Sequence, residues 1–179
     1  MNKNRKENWK FLLLADLIFV AAGVALDQFT KYLAVIHLKG QEAVELIPGV
    51  LELRYLENRG AAFGMMQGGK VFFLIITPIV LAAVIYALIK MPKMGKYRIL
   101  RILLNCIAVG AVGNMIDRIR LDYVVDFIYI VLINFPIFNV ADMYVTFSTV
   151  ILVIQVLFVY KENDFNFLSF NQKKFRELK

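Results

Sequence analysis

Two aspartates stand where a membrane chain tolerates them least: Asp126 in Val125-Asp126-Phe127, and Asp142 closing Phe138-Asn139-Val140-Ala141-Asp142. The stretch from Tyr123 to Tyr160 carries no other charge. A carboxylate at mid-bilayer costs about 2.5–3.5 kcal/mol on insertion scales, so each acid needs a partner or a chemical task. Two carboxyls that share one proton have such a task. Like charges close together resist joint ionisation, so one group stays protonated while the other takes a proton from an attacking water. Peptide hydrolysis needs that pairing.

Other chemistries lack their residues. His37 is the only histidine, and neither HExxH nor CxxC occurs, so no metal or cofactor is expected. His37 itself reads as an interfacial residue. Ser148 and Ser169 lie too deep or on the wrong side for a Ser-Lys pair. The lone Cys106 falls inside an apolar run and reads as a small buried side chain.

These acids must be positioned by membrane spans. The chain is 60% hydrophobic, above the roughly 45–50% of soluble domains, with a mean hydropathy of +0.64. Four apolar runs follow: 11–38, interrupted by Asp16, Asp27 and Lys31; 71–89, containing Pro78; 99–116, with Arg101 near enough to its end to snorkel; and 140–160. Residues 1–179 form one membrane domain. Lys3 to Lys10 followed by an apolar run resembles a secretory leader, but the run resumes through Tyr32-Leu33-Ala34-Val35-Ile36 and reads as an uncleaved first helix.

The net charge of +7 comes in clusters between the runs, not as a nucleic-acid-binding face. Fourteen of the 21 basic residues precede span one, lie around 90–101, or follow span four. The positive-inside rule puts both termini, the 90–98 loop and the 161–179 tail in the cytoplasm. Asp27, Asp117, Asp126 and Asp142 then fall toward the outer face. There, within the polar stretch 41–69, Leu51, Leu53 and Tyr55 alternate with Glu52 and Arg54 after a Pro48-Gly49 turn, as in a half-buried strand. A second extended piece is expected around Tyr123 to Leu132. The fold class is an α-helical polytopic membrane protein: four transmembrane helices with a small extracytoplasmic β-sheet.

Polar residues cluster on that outer side. Asp27 and Lys31 are spaced to pair across one helical turn. Asn114, Asp117 and Arg118 share one helical face, and Asn139 is placed to cap span four, three residues before Asp142. Asn58-Arg59-Gly60-Ala61-Ala62-Phe63-Gly64 leads into span two with small residues that permit close backbone approach. From the residues alone, a small channel or transporter with intramembrane carboxylates competes with an enzyme, although no inverted repeat is visible.

Five segments in order, Asp27-Gln28-Phe29-Thr30-Lys31, Asn58-Arg59-Gly60-Ala61-Ala62-Phe63, Gly113-Asn114-Met115-Ile116-Asp117-Arg118, Val125-Asp126-Phe127 and Phe138-Asn139-Val140-Ala141-Asp142, resemble the signature blocks of lipoprotein signal peptidase, the type II signal peptidase of bacteria. Val109 departs from the family, which often has glycine there. The resemblance implies an intramembrane aspartic endopeptidase of the bacterial cytoplasmic membrane, acting as a monomer. It would cut diacylglyceryl-modified prolipoproteins before the lipidated cysteine, with membrane lipids as its other partners. It places the catalytic pair at Asp126 and Asp142. Asp27, Lys31, Asn58, Gly60, Asn114, Asp117, Arg118 and Asn139 become substrate-binding or site-supporting residues.

Overall fold

The computed structural model describes residues 3–60, 69–93 and 95–169, with side chains from Lys10 onward. Residues 61–63 of the second signature segment, and the tail from 170, lie outside them. Four helices carry the chain: α1 (Lys3–Leu38), α2 (Lys70–Lys90), α3 (Arg98–Leu121) and α4 (Val140–Phe158). All four are long and apolar enough to cross a membrane. Three strands, β1 (Val44–Ile47), β2 (Leu51–Asn58) and β3 (Val124–Ile130), form one antiparallel sheet in that order.

The helices turn apolar side chains outward. Phe11, Leu17, Ile18, Phe29 and Tyr32 of α1, and Val71, Ile75 and Ile79 of α2, are exposed, which suits hydrocarbon and would be ruinous in water. Inward, α1 presents a stripe at Gly23, Asp27, Lys31, Ala34 and Leu38, the three- and four-residue spacing of one helical face. Lipid tails are as apolar as leucine, so helix association in a membrane relies on close contact between small residues and on polar bonds. α3 supplies both. A methyl group at Gly110 would stand 2.3 Å from the Ala141 carbonyl oxygen, so only glycine lets α3 and α4 approach this closely. Pro78 sits inside α2 without ending it, as expected of a helix with packed neighbours.

The sheet closes one end of the bundle. Gly49 takes φ +69° in the turn between β1 and β2, where Val50 N donates to Ile47 O at 2.9 Å. β2 pairs with β3 through Leu51↔Ile130 to Asn58↔Val124, with an irregularity between Leu53 and Leu56. Val125 and Phe127 pack with Ala34 and Leu38 of α1. Strand alternation therefore turns Asp126 to the opposite face, toward Asn58. At the other end of the bundle, a 3-10 segment at Glu162–Leu168 buries Phe167 against Tyr97, and Tyr160 stacks on Tyr97 with centroids 5.9 Å apart.

α3 departs from the hydropathy reading in two respects. α3 continues to Leu121 rather than ending near 116, because Asp117, Arg118 and Arg120 lower hydropathy without interrupting helical hydrogen bonding. The helix stops at Asp122, which adopts a left-handed φ of 68°. Arg101 does not snorkel: its Nε donates to Asp16 Oδ1 at 2.8 Å, and its Nη2 pairs with Asp16 Oδ2.

Candidate active site

Asp142 is the third residue of α4, and Asn139 is the N-cap. The two close a reciprocal capping box: Asp142 N donates to Asn139 Oδ1 at 2.9 Å, and Asn139 N donates to Asp142 Oδ2 at 3.1 Å. The Asn139 carboxamide nitrogen is left free to reach Asp126 Oδ1 at 2.6 Å and Asn114 Oδ1 at 3.2 Å. One residue thus touches both carboxylates. The remaining oxygens are met in the same way, Asp126 Oδ2 by Asn58 Nδ2 at 2.7 Å and Asp142 Oδ1 by Asn114 Nδ2 at 2.7 Å. Each of the four carboxylate oxygens accepts from an N–H.

A buried ionic layer lies behind the pair. Lys31 has three ammonium protons and three acceptors: Asp27 Oδ2 at 3.0 Å, Asp117 Oδ2 at 3.0 Å and Asn114 Oδ1 at 2.9 Å. The two aspartates each hold the backbone beside one member of the pair. Ala141 N donates to Asp27 Oδ1 at 2.9 Å, and Val125 N donates to Asp117 Oδ2 at 3.1 Å. Asp27 therefore also places a negative charge at the N-terminus of α4, where the helix dipole favours it. With Lys31 at 3% exposure and Asp27 at 0%, these charges have left water, and only complete pairing makes that tolerable.

All ten residues singled out in the sequence join one network. Gly60 N donates to Asn58 Oδ1 at 2.9 Å, and Arg118 reaches Gly60 O and Asn114 O, each at 3.4 Å. The Arg118 guanidinium lies 4.2 Å from the centre of the Phe73 ring, within cation–π range. It does not pair with its sequence neighbour Asp117, which faces Lys31 instead. Gln28 was not singled out, yet its Nε2 reaches Asp117 Oδ1 at 2.9 Å, Gly113 O at 3.2 Å and Asp27 Oδ2 at 3.2 Å. Its place beside Asp27 within the first signature segment was the signal in the sequence.

Burial, and next the charge of Asp142, push the Asp126 carboxyl up to about 7, against the opposing hydrogen bonds of Asn58 and Asn139. An acid so raised holds a proton near neutrality beside a second carboxyl. The arrangement can give up a proton at one oxygen and accept one at another. Further out on the sheet, a hydrogen bond from Lys39 holds Glu57 below the usual carboxylate range, and Lys39 and Glu57 stand 2.9 Å apart.

Four apolar helices, a sheet closing one end and a buried carboxylate network define a polytopic membrane protein with a paired-acid site. Comparisons with known proteins narrow this. The family described as Signal peptidase (SPase) II matches residues 19–158. The lipoprotein signal peptidases of Streptococcus pyogenes serotype M5 (strain Manfredo) and serotype M18 (strain MGAS8232) are each 42% identical over 156 residues, covering 87% of this chain and 97% of the relative. A structure described as a bacterial membrane enzyme solved by the in meso method at 2.3 Å resolution superposes with a TM-score of 0.71 at 34% identity, covering 83% of this chain and 92% of the other. A second, at 1.9 Å, gives 0.70 at 34%, covering 82% and 94%. The chain belongs to the signal peptidase II family.

Proposed function

We propose that this protein is an intramembrane aspartic endopeptidase that removes the signal peptide from diacylglyceryl-modified bacterial prolipoproteins, cutting just before the lipidated cysteine. The observation that carries the reading is the single Asn139 carboxamide group and backbone holding Asp126 and Asp142 in one hydrogen-bonded unit. The names of the relatives supply the substrate class.

In this mechanism the ionised carboxylate of the pair takes a proton from a water as its oxygen attacks the scissile carbonyl carbon. The protonated partner donates toward the carbonyl oxygen; as the C–N bond breaks, the carboxyl that took the water's proton gives it to the leaving nitrogen, and the collapsing hydroxyl returns its proton to the partner. Asn58, Asn114 and Asn139 fix the carboxylates. The Lys31 layer holds the two backbone segments that carry them, and Arg118 offers fixed donors to substrate or lipid oxygens. The positive-inside distribution supports a topology with both termini in the cytoplasm and the sheet and dyad on the outer side of the cytoplasmic membrane. There the acyl chains of a lipidated precursor, among membrane lipids, keep the scissile bond near the bilayer surface. The enzyme acts as a monomer. The transporter alternative has no supporting observation beyond the carboxylates themselves.

The test is incubation of the purified protein with a diacylglyceryl-modified precursor, reading signal-peptide release on a gel. Release by the parental protein and none by Asp126→Asn or Asp142→Asn is the expected result. Turnover by either variant would overturn the two-aspartate mechanism.

A further inference from the structure

A second polar cluster lies between α1 and α3, away from the dyad. Arg101 makes a two-pronged contact with Asp16, Asn105 Nδ2 donates to Asp16 Oδ1 at 2.8 Å, and Arg101 Nη1 reaches the Leu88 carbonyl of α2 at 3.4 Å. The side chains of Arg101 and Asp16 are 15% and 12% exposed. Asn105 is 4% exposed, and its Oδ1 finds no donor among the described residues. The carboxamide is turned to serve Asp16 at the expense of its own acceptor.

This cluster is one layer of a longer seam. In the middle, Gly23 faces Val109, whose Cγ atoms would lie 2.7 and 2.8 Å from a methyl group at Gly23. Val109, the departure from the family's common glycine, is accommodated by that missing side chain. At the sheet end, Asp27 and Lys31 meet Gly113, Asn114 and Asp117. The sequence separation of hydrogen-bonded partners stays between 83 and 89 from one end of the seam to the other, so α1 and α3 run side by side without sliding.

Apolar contacts in lipid resist such sliding poorly, because a shifted helix meets surroundings just as apolar. A forked arginine–carboxylate pair fixes both distance and angle. A slip of one residue moves a helix by about 1.5 Å, enough to break every bond of Lys31. Lys31 is only two hydrogen bonds from Asp142, through Asn114.

We propose that Asp16 and Arg101, assisted by Asn105, are positioning residues that set the axial register of α1 on α3 and so place Lys31 and Asn114 behind Asp142. Asp16 acts from eleven residues before Asp27, about 16 Å along the helix. The proposal rests on the peptidase reading above.

The experiment measures kcat and KM of the purified full chain on a diacylglyceryl-modified precursor, alongside thermal melting. Asp16→Asn and Arg101→Gln keep size and remove the charge pairing. Each is expected to lower kcat about tenfold, as misplacement of reacting groups does, with KM unchanged. The charge-swapped D16R/R101D is expected to recover most of the loss. Parental protein and Asp126→Asn in the same assay test the peptidase reading separately. If parental protein cleaves, Asp126→Asn does not, and both cluster variants keep parental kcat, the positioning proposal is overturned and the peptidase reading stands. A charge swap no better than the single variants overturns it too, as does a loss of kcat matched by an equal loss of folded protein. Should neither single variant fold, Asn105→Leu carries the test: it leaves the ion pair intact and is expected to lower kcat at constant KM, and parental kcat would overturn the proposal.

Discussion

Asn139 donates to Asp126 at 2.6 Å while its backbone N–H donates to Asp142 at 3.1 Å. Replacing it with alanine removes a helix cap worth about 0.5–2 kcal/mol and the bond that ties the two acids together. Asn139→Ala should therefore lose about a hundredfold or more of cleavage rate, on the scale of general acid–base contributions, with a modest fall in melting temperature. Gel-based turnover and thermal melting measure the two effects. A variant with parental turnover would remove Asn139 from the site.

The pH dependence follows from Asp126, whose carboxyl is pushed up to about 7 by burial and by Asp142. One proton is retained on the pair below that pH and lost above it, so cleavage should fall on the alkaline side of about pH 7. Stability moves the same way. The unfolded carboxyl ionises near its ordinary value of 3.8, so the unfolded state binds fewer protons between there and about 7, and the folded protein loses stability as pH rises through that window. Asp126→Asn should remove this slope. Melting temperatures at pH 5 and pH 8 for both proteins check it, and equal slopes would contradict the assignment.

Lys31 bridges two buried aspartates. Lys31→Met strands them both, and breaking a buried pair costs about 3–5 kcal/mol. Denaturation of the purified variant should show a loss of that size together with lost cleavage. A variant of parental stability would mean that the aspartates are paired otherwise.

Arg118 lies over Phe73 and reaches two backbone carbonyls. Lysine keeps the charge but not the planar fork, so Arg118→Lys should recover only part of the cleavage lost in Arg118→Ala. Full recovery would make Arg118 a simple headgroup anchor.

Gly110 faces the Ala141 carbonyl at a distance that leaves no room for a methyl group. Gly110→Ala should push α4 from α3 at about 1–3 kcal/mol, the usual penalty of overpacking, and displace Asp142 with it. Unchanged melting and turnover would show that the helices can part freely.

Contacts that depend on local spacing were legible in the sequence. The Asp27–Lys31 pair, the Asn139 cap and the alternation of Leu51, Leu53 and Tyr55 each need only one element to form. Partners that depend on which helix faces which were not. Arg101 looked like a snorkelling residue because its acceptor, Asp16, lies 85 residues away on another helix. Asn114, Asp117 and Arg118 read as one helical face, yet Asp117 turns to Lys31 of α1 while Arg118 lies over Phe73 of α2. The end of α3 was missed because hydropathy measures affinity for lipid, whereas the helix persists on its own hydrogen bonds through Arg118 and Arg120.

The capping box at the start of α4 makes one carboxylate serve two purposes. Asp142 Oδ2 holds the Asn139 amide, so a substrate or inhibitor that draws that oxygen away competes with the closure of the helix's first turn. Occupancy of the site and capping of α4 are thereby opposed on one atom. The exchange rate of the Asn139 amide hydrogen becomes a gauge of whether the dyad is engaged, readable without any chemical turnover.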